Sequence, residues 1–170
     1  MTATKQWFAI YTRSRNEKKV YESLTRQGVE AYLPLRVTLR QWSDRKKKVE
    51  VPVIASYVFV KINLKLERET IFYTPGFLSF VAEKSIPKPI PESEIETMRR
   101  TIDNSMTIEV SNTLLTKGQN VRITSGPLAG IEGVVLDVNK HKINILLKTI
   151  GITLVTELSG AEIVPVKKNE

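Results

Sequence analysis

The sequence contains no cysteine and a single histidine, and these shortages limit the chemistry that the chain can carry. Without cysteine there is no disulfide, no thiolate nucleophile and no cysteine-ligated metal. The histidine, His141, lies between two lysines in a predicted turn with no evident second ligand. The Gly-Lys-Ser/Thr loop that cradles nucleotide phosphates is also missing. We therefore expect no metal, no cofactor and no enzymatic activity.

Long apolar runs are missing as well. No stretch approaches the roughly 18 apolar residues that a transmembrane helix needs. In the opening sequence, MTATKQWFAIYTRSRNEKK, the apolar stretch is only Trp7–Tyr11, and no small-residue cleavage site follows it. This is not the pattern of a signal peptide. We expect a cytoplasmic protein without a membrane partner.

The excess positive charge is concentrated in the first third of the chain. The net charge is +8 over 170 residues. Residues 1–61 contain 13 Lys/Arg and 5 Asp/Glu, whereas the remaining residues contain 13 of each. A localised basic surface is expected of a protein that binds a polyanion, but a surface that serves solubility would have the same composition. Charge alone leaves both interpretations open.

Alternating apolar residues predict the strands of an N-terminal sheet. They are expected over Trp7–Thr12, Glu30–Val37, Ser56–Ile62 and Phe77–Val81. In the third of these strands, Val58, Val60 and Ile62 point one way, and Tyr57, Phe59 and Lys61 point the other. Between the second and third strands we expect a hairpin, whose tip near Ser43–Arg45 carries four consecutive basic residues, Arg45–Lys48.

The helix predicted after the first strand separates a core face from a basic face. Ser14 and Glu17 have the spacing of a capping box, and Gly28 suits the position after the helix end. At about 100° per residue, Val20 and Leu24 form the buried stripe. The opposite side carries Arg15, Lys19, Ser23 and Arg26. Two further helices are predicted, one over Leu66–Tyr73 and one that begins at Pro91.

Short strands and glycines characterise the C-terminal part. Lys117-Gly118 precedes a strand, Gly126-Pro127 suits a tight turn, and Gly130 and Gly133 can take positive φ or permit close packing. This order of strand, turn, glycines and second strand resembles the KOW motif, which occurs in NusG-type elongation factors and in ribosomal proteins. The alternative is an unrelated SH3-like barrel.

The N-terminal pattern resembles that of the NusG family. The matching stretches, in order, are Trp7–Tyr11, Tyr32-Leu33-Pro34, Ser56–Val60, Thr74–Phe77 and Pro87–Ile90. The resemblance implies an α+β fold, with an N-terminal α/β sandwich of an antiparallel sheet and flanking helices over residues 5–105. A linker over 106–116 and a small SH3-like KOW β-barrel over 117–167 follow. It also implies a monomeric transcription elongation or antitermination factor that binds the clamp helices of the largest RNA polymerase subunit.

One departure from the family pattern points to a specialised member. Housekeeping NusG proteins usually have Phe-Pro-Gly-Tyr before the Val-Phe-Val strand, whereas this chain has Ile54-Ala55-Ser56-Tyr57. Paralogues of the RfaH and UpxY kinds also vary there. We therefore favour an antiterminator of long surface-polysaccharide operons over a general factor.

The resemblance and the strand pattern together indicate which residues bind the polymerase. Tyr57 and Phe59 share one strand face, Tyr11 matches a family docking position, and Ile54 lies just before the strand. Exposed aromatic surface of this kind marks a protein interface. The alternative is that helices cover both faces of the sheet and these aromatic residues are core.

RfaH-like relatives also bind the exposed non-template DNA strand. The positions that match here are Arg13, Lys19, Ser23, Arg26 and Thr74. Arginine and lysine neutralise phosphates, and arginine pairs with guanine. The alternative is a solvated helix face. Base preference does not transfer, because Ser23 stands where RfaH has a histidine.

The barrel loop with Ile150, Gly151 and Ile152 corresponds to the family's loop for Rho or a small-subunit ribosomal protein. NusG has an aromatic residue and an arginine there, so recruitment of Rho is in doubt and a ribosomal partner is the expectation. The alternative function is a ribosome-associated or RNA-binding KOW protein.

Overall fold

The computed structural model describes residues 4–103, 116–125, 128–137, 142–147, 149, 151–157 and 163–166. The chain divides into two compact units, Met1–Ile95 and Glu96–Glu170. Of the predicted linker 106–116, only Thr116 is among the described residues, so the domain bounds 5–105 and 117–167 stay a prediction.

The first unit is built on a four-stranded antiparallel sheet. Its elements in chain order are β1 (Gln6–Thr12), α1 (Glu17–Arg26), β2 (Glu30–Tyr32), β3 (Leu35–Gln41), β4 (Lys46–Pro52), β5 (Tyr57–Ile62), α2 (Leu64–Phe72), β6 (Phe77–Phe80), β7 (Ala82–Glu83) and β8 (Ile86–Pro87). Helix α3 (Glu92–Asp103) follows and crosses the division between the units. The strand order in the main sheet is β2-β5-β1-β6, while β3 pairs with β4 and β7 with β8.

The main core lies between this sheet and the first two helices. Its strand residues include the predicted face of Val58, Val60 and Ile62, which is confirmed. The buried stripe of Val20 and Leu24 on α1 packs into the same cluster and is fully buried, as predicted. The other sheet face is also covered over much of its length, since Trp7, Ala9 and Phe59 are at most 1% exposed.

The predicted second strand is not continuous. It ends at Tyr32, and a new strand begins at Leu35 in a separate two-stranded sheet. Pro34 lies at the break, where its missing amide hydrogen cannot contribute to a strand ladder. The Pro34 carbonyl instead accepts from the Val53 amide (2.8 Å), at the base of the β3–β4 hairpin.

The predicted capping box is wrong. Helix α1 begins at Glu17, its cap residue is Asn16, and no side chain caps its amides. The side-chain amide of Asn16 donates to the Ser14 backbone carbonyl (3.1 Å), so this segment forms a local turn ahead of the helix. At the other end Gly28 has a φ of 78°, which confirms it as the residue after the helix end.

The second unit contains a five-stranded antiparallel sheet. Its strands are β9 (Asn120–Ile123), β10 (Glu132–Asp137), β11 (Lys142–Leu147), β12 (Ile152–Glu157) and β13 (Ile163–Pro165), in the order β12-β11-β10-β9-β13. A Cβ at Gly133 would lie 2.7 Å from the Asn144 carbonyl oxygen, so Gly133 permits close strand packing, as predicted. Gly130 takes a positive φ. Gly126-Pro127 and His141 lie outside the described residues. The predicted fold class is confirmed.

Candidate functional site

The loop before β5 has a backbone conformation that few side chains adopt. Ser56 has a φ of 62°, in the left-handed region that costs an L-residue about 1–2 kcal/mol. Its amide donates to the Glu17 carboxylate (2.8 Å), and its carbonyl accepts from the Thr12 amide (2.9 Å). Glu17 is only 6% exposed, so it makes this bond away from bulk water. The first turn of α1 and the end of β1 thus hold the loop that leads to Tyr57.

Two tyrosines lie side by side at the end of this loop. Tyr11 and Tyr57 are register partners on β1 and β5, and their rings pack edge to face with centroids 4.8 Å apart. The Tyr57 hydroxyl donates to the Tyr11 hydroxyl at 2.8 Å. Ser79 of β6 is the register partner of Tyr11 on the other side and is exposed. A row of hydroxyl-bearing side chains therefore crosses three strands, exposed at Tyr11 and Ser79 and half-buried at Tyr57.

The hydroxyl pair also perturbs the titration of Tyr57. Three causes raise the pKa of Tyr57 to about 12, and burial of the phenol is the largest. The other two are the hydrogen bond to Tyr11 and electrostatic repulsion from the charged form of Tyr11. Tyr57 therefore stays neutral near pH 7. It can give a partner aromatic surface and a hydroxyl group without the desolvation of a charge.

Two of the four predicted polymerase-binding residues are not exposed. Phe59 has no exposed surface, and Ile54 is 9% exposed, so the expectation that they form open aromatic or apolar surface is wrong. Phe59 is buried beside Tyr57 on the same strand face, with its ring centroid 6.4 Å from that of Tyr57 and 6.2 Å from that of Tyr32. Of the four, Tyr11 is exposed and Tyr57 is half-buried, so these two retain accessible surface.

The basic face predicted for α1 is present in part: Lys19, Ser23 and Arg26 lie on the helix, whereas Arg15 precedes it with a φ of 62°. Lys19 and Arg26 are exposed, and Ser23 is half-buried. The Gln27 side chain donates to the carbonyl and the hydroxyl of Ser23 (3.1 and 3.3 Å). Among the described residues, neither Lys19 nor Arg26 forms an ion pair within 4.0 Å. Both cations are therefore available to an anionic partner.

The turn that contains Thr74 is close to this helix. The Arg13 amide donates to the Gly76 carbonyl (2.9 Å), and a Cβ at Gly76 would lie 3.0 Å from Cγ2 of Val20. Arg13 itself is exposed. The structure thus brings Arg13, α1 and the turn together, as the DNA-binding prediction requires.

Thr74 does not present its side chain to solvent, contrary to what a direct contact would need. It is 3% exposed, and its hydroxyl donates to the Thr70 carbonyl at 2.8 Å. Beside it, Tyr73 is 77% exposed, and Phe72 is 61% exposed. The sequence interpretation did not select these two aromatic residues. Their place at the end of α2, next to a Pro-Gly turn, was the available signal.

The predicted partner loop of the barrel is described in part. Gly151 has a φ of 66° and is exposed, which suits a tight turn. Ile152 is half-buried at the start of β12 and pairs with Leu147. Ile150 lies outside the described residues.

The described part of the chain contains neither a metal-binding cluster nor a membrane-spanning helix. In residues 4–103 and the described barrel segments, no group of three or more His, Asp or Glu side chains is placed to hold a metal ion. Over the same residues, no helix combines the length and the apolar composition needed to cross a membrane.

Comparison with known proteins shows which family the sequence is similar to. The profile of the NusG family, described as "Transcription termination factor nusG", matches residues 5–99, and that of the KOW motif matches residues 117–147. The chain is 25% identical over 178 residues to the transcription termination/antitermination protein NusG of Rickettsia felis, covering 98% of this chain and 91% of that one. It is 26% identical over 167 residues to NusG of Streptococcus pyogenes serotype M3, covering 91% and 92%.

A solved structure of Thermotoga maritima NusG shares the fold. Its TM-score is 0.61 at 23% identity, and the match covers 93% of this chain and 96% of that one. The family profile extends over more than half of the sequence, the KOW motif follows it, and the relatives align over nearly their full lengths. This chain belongs to the NusG family of transcription termination and antitermination factors.

Proposed function

We propose that the chain binds RNA polymerase through the Tyr11–Tyr57 pair and promotes processive elongation as a specialised antiterminator in the cytoplasm. The observation that carries the proposal is the pair itself: two hydroxyl-bonded aromatic residues, one exposed and one half-buried, on a sheet that is otherwise well covered. Aromatic side chains held rigidly in this way are typical anchors of protein interfaces. The partner surface we propose is the clamp helices of the largest polymerase subunit.

A binding measurement with core RNA polymerase tests this proposal. Tyr57→Ala should lower the affinity about 10- to 100-fold, as expected for an interface anchor. Tyr73→Ala is the matched control, because Tyr73 is an exposed tyrosine of this unit that lies outside the pair. If both variants bind as the unaltered chain does, and both keep its circular dichroism, the tyrosine pair is not the docking site.

We further propose that the basic face of α1 binds the non-template DNA strand, with Lys19 and Arg26 as the phosphate contacts and Arg13 beside them. Their exposure and their lack of ion pairs among the described residues support this role. Lys19→Glu with Arg26→Glu should reduce crosslinking to that strand in an elongation complex. Lys65→Glu with Arg68→Glu reverses two exposed cations on α2 and should leave it unchanged. Equal crosslinking in both variants would return α1 to the role of a solvated face.

The specialised role is supported by the loop before β5. NusG proteins usually have glycine before the tyrosine, whereas this chain has Ser56, which takes the left-handed conformation that glycine adopts at lower cost. The changed residue at this position fits a docking loop that is altered for a specialised role. Transcription of a long template with the purified chain, compared with a general NusG, would show whether it acts at all promoters or only at particular elements.

We propose a small-subunit ribosomal protein as the partner of the barrel, contacted through the loop of Ile150, Gly151 and Ile152. Ile152→Glu should abolish capture of the isolated ribosomal subunit without affecting polymerase binding. The alternative of a protein that acts only on ribosomes or RNA has less support, because the NusG profile covers the N-terminal residues that a KOW barrel alone would not require.

A further inference from the structure

The β3–β4 hairpin is a separate two-stranded ribbon. Its strands pair without interruption from Leu35 with Pro52 to Gln41 with Lys46, and neither joins the main sheet. The turn is closed by the Trp42 amide, which donates to the Arg45 carbonyl (2.8 Å). At about 3.4 Å per residue, a seven-residue strand extends roughly 24 Å. We call residues 35–52 the basic arm.

The arm carries half of the chain's net positive charge. It contains six basic and two acidic residues, whereas the whole chain has a net charge of +8. The basic residues are Arg36, Arg40, Arg45, Lys46, Lys47 and Lys48. All six are exposed, and among the described residues none of them is within 4.0 Å of a carboxylate. The ion pair that the arm does make is between Glu50 and Lys18 of α1 (3.8 Å).

Cations lie on both faces of the ribbon. Leu39 and Lys48 are partners on one face, and Arg40 and Lys47 are partners on the other. Like charges placed directly opposite each other destabilise a sheet, and a two-stranded ribbon is only marginally stable on its own. The repulsion between Arg40 and Lys47 therefore works against the arm as a purely structural element. An anionic partner would relieve it.

The shape of the arm selects among anionic partners. The major groove of B-form DNA is about 12 Å wide and admits a two-stranded β-ribbon. The major groove of duplex RNA is too deep and narrow for side chains to read. A single strand is usually held by a row of stacking aromatic residues, and the arm has only Trp42, which is 57% exposed at its tip.

We propose that the basic arm binds double-stranded DNA, lying in a groove with its cations on the phosphates and Trp42 at the leading end. This contact is separate from both the tyrosine pair and the basic face of α1. It needs neither polymerase nor an exposed single strand, so it can succeed or fail independently of the proposed function.

Fluorescence anisotropy with the full chain and a labelled duplex of about 20 base pairs, two helical turns, tests the proposal. The arm variant changes Lys46, Lys47 and Lys48 to Glu. It should bind at least about 10-fold more weakly than the unaltered chain. Because each lost phosphate contact removes about 0.9 from the slope of log affinity against log salt, the slope between about 50 and 200 mM salt should fall by about 2 to 3.

A charge-matched control separates the arm from general basicity. Lys65→Glu, Arg68→Glu and Lys117→Glu make the same change in net charge at exposed positions outside the arm. This variant should keep most of the duplex affinity. If it loses as much as the arm variant, the binding is diffuse and the proposal is overturned. Should Lys→Glu changes unfold the arm variant, the same three residues changed to Gln provide the test.

Competing ligands decide the partner class. The arm variant should lose more affinity for duplex DNA than for single-stranded DNA of the same sequence, for duplex RNA, or for vesicles of anionic phospholipid. A larger loss for any of those three would overturn the assignment. Polymerase binding should be unaltered in the arm variant, which separates this result from the test of the tyrosine pair. Quenching of Trp42 fluorescence by the duplex, absent in Trp42→Phe, would place the tip in the contact.

Discussion

The loop that carries Tyr57 depends on one buried carboxylate. Glu17 lies in the first turn of α1 and accepts the amide of Ser56 at 2.8 Å. Ser56 has a φ of 62°, so its conformation must be maintained by its surroundings. We predict that Glu17→Ala releases this loop and weakens the N-terminal unit.

The expected loss follows from three contributions. A hydrogen bond to a charged group contributes about 1.5–3 kcal/mol, and its removal leaves the Ser56 amide without its acceptor. A carboxylate in the first helical turn adds about 0.3–1 kcal/mol by its interaction with the helix dipole. Alanine recovers a few tenths of a kcal/mol through its better helix propensity. We therefore expect the free energy of unfolding to fall by about 2 kcal/mol for Glu17→Ala and by about half that for Glu17→Gln, which retains an oxygen acceptor.

Urea denaturation followed by tryptophan fluorescence measures this loss. The two tryptophans, Trp7 and Trp42, both lie in the first unit, and Trp7 is 1% exposed, so its emission reports unfolding of that unit. Glu22→Ala is the control, because Glu22 is exposed on the same helix and should change stability by at most about 0.5 kcal/mol. If Glu17→Ala is no more destabilising than Glu22→Ala, the carboxylate does not hold the loop.

Two further predictions concern the tyrosine pair and the barrel. Tyr11→Phe should move the pKa of Tyr57 from about 12 toward its ordinary value of 10.0 without reaching it, since burial is the largest cause. Because the pKa of Tyr57 is raised in the folded protein, its contribution to folding stability is present below about pH 10 and is lost as pH rises toward 12. The pKa is measured as the tyrosinate absorbance of Tyr11→Phe minus that of the variant lacking both tyrosines. A pKa of Tyr57 that does not move in Tyr11→Phe would contradict the prediction. Gly133→Ala should destabilise the barrel by about 1–3 kcal/mol, because the Asn144 backbone cannot yield to a Cβ at 2.7 Å; faster amide exchange in β10 and β11 is the expected result, and unchanged protection would refute it.

The sequence predicted those features that depend on periodicity and on local turn chemistry. The core face of β5, the buried stripe of α1 and the basic side of the same helix all follow from side-chain period alone. Gly130 and Gly133 were recognisable for the same reason, since a positive φ and a close approach both favour glycine. These interactions lie within one element or one hairpin.

Features that depend on contacts between distant segments were not predictable. Ser14 and Glu17 had the spacing of a capping box, but the carboxylate bonds to Ser56, which lies 39 residues away from Glu17. The alternation of Tyr57 and Phe59 could not show that one end of the sheet face is open and the middle is covered. Thr74 was selected by its position in the family pattern, and its burial depends on how α2 packs. Each error arose from tertiary packing that overrides a local pattern.

Site-specific crosslinking tests the central claim, that the Tyr11–Tyr57 pair docks on RNA polymerase, most directly. A photoreactive benzoylphenylalanine is placed at position 57 in one protein and at position 73 in another, both tyrosine positions of the first unit. After irradiation with core polymerase, position 57 should crosslink to the clamp helices of the largest subunit, and position 73 should give little product there. Equal products from both positions, or a position-57 product on another subunit, would contradict the account.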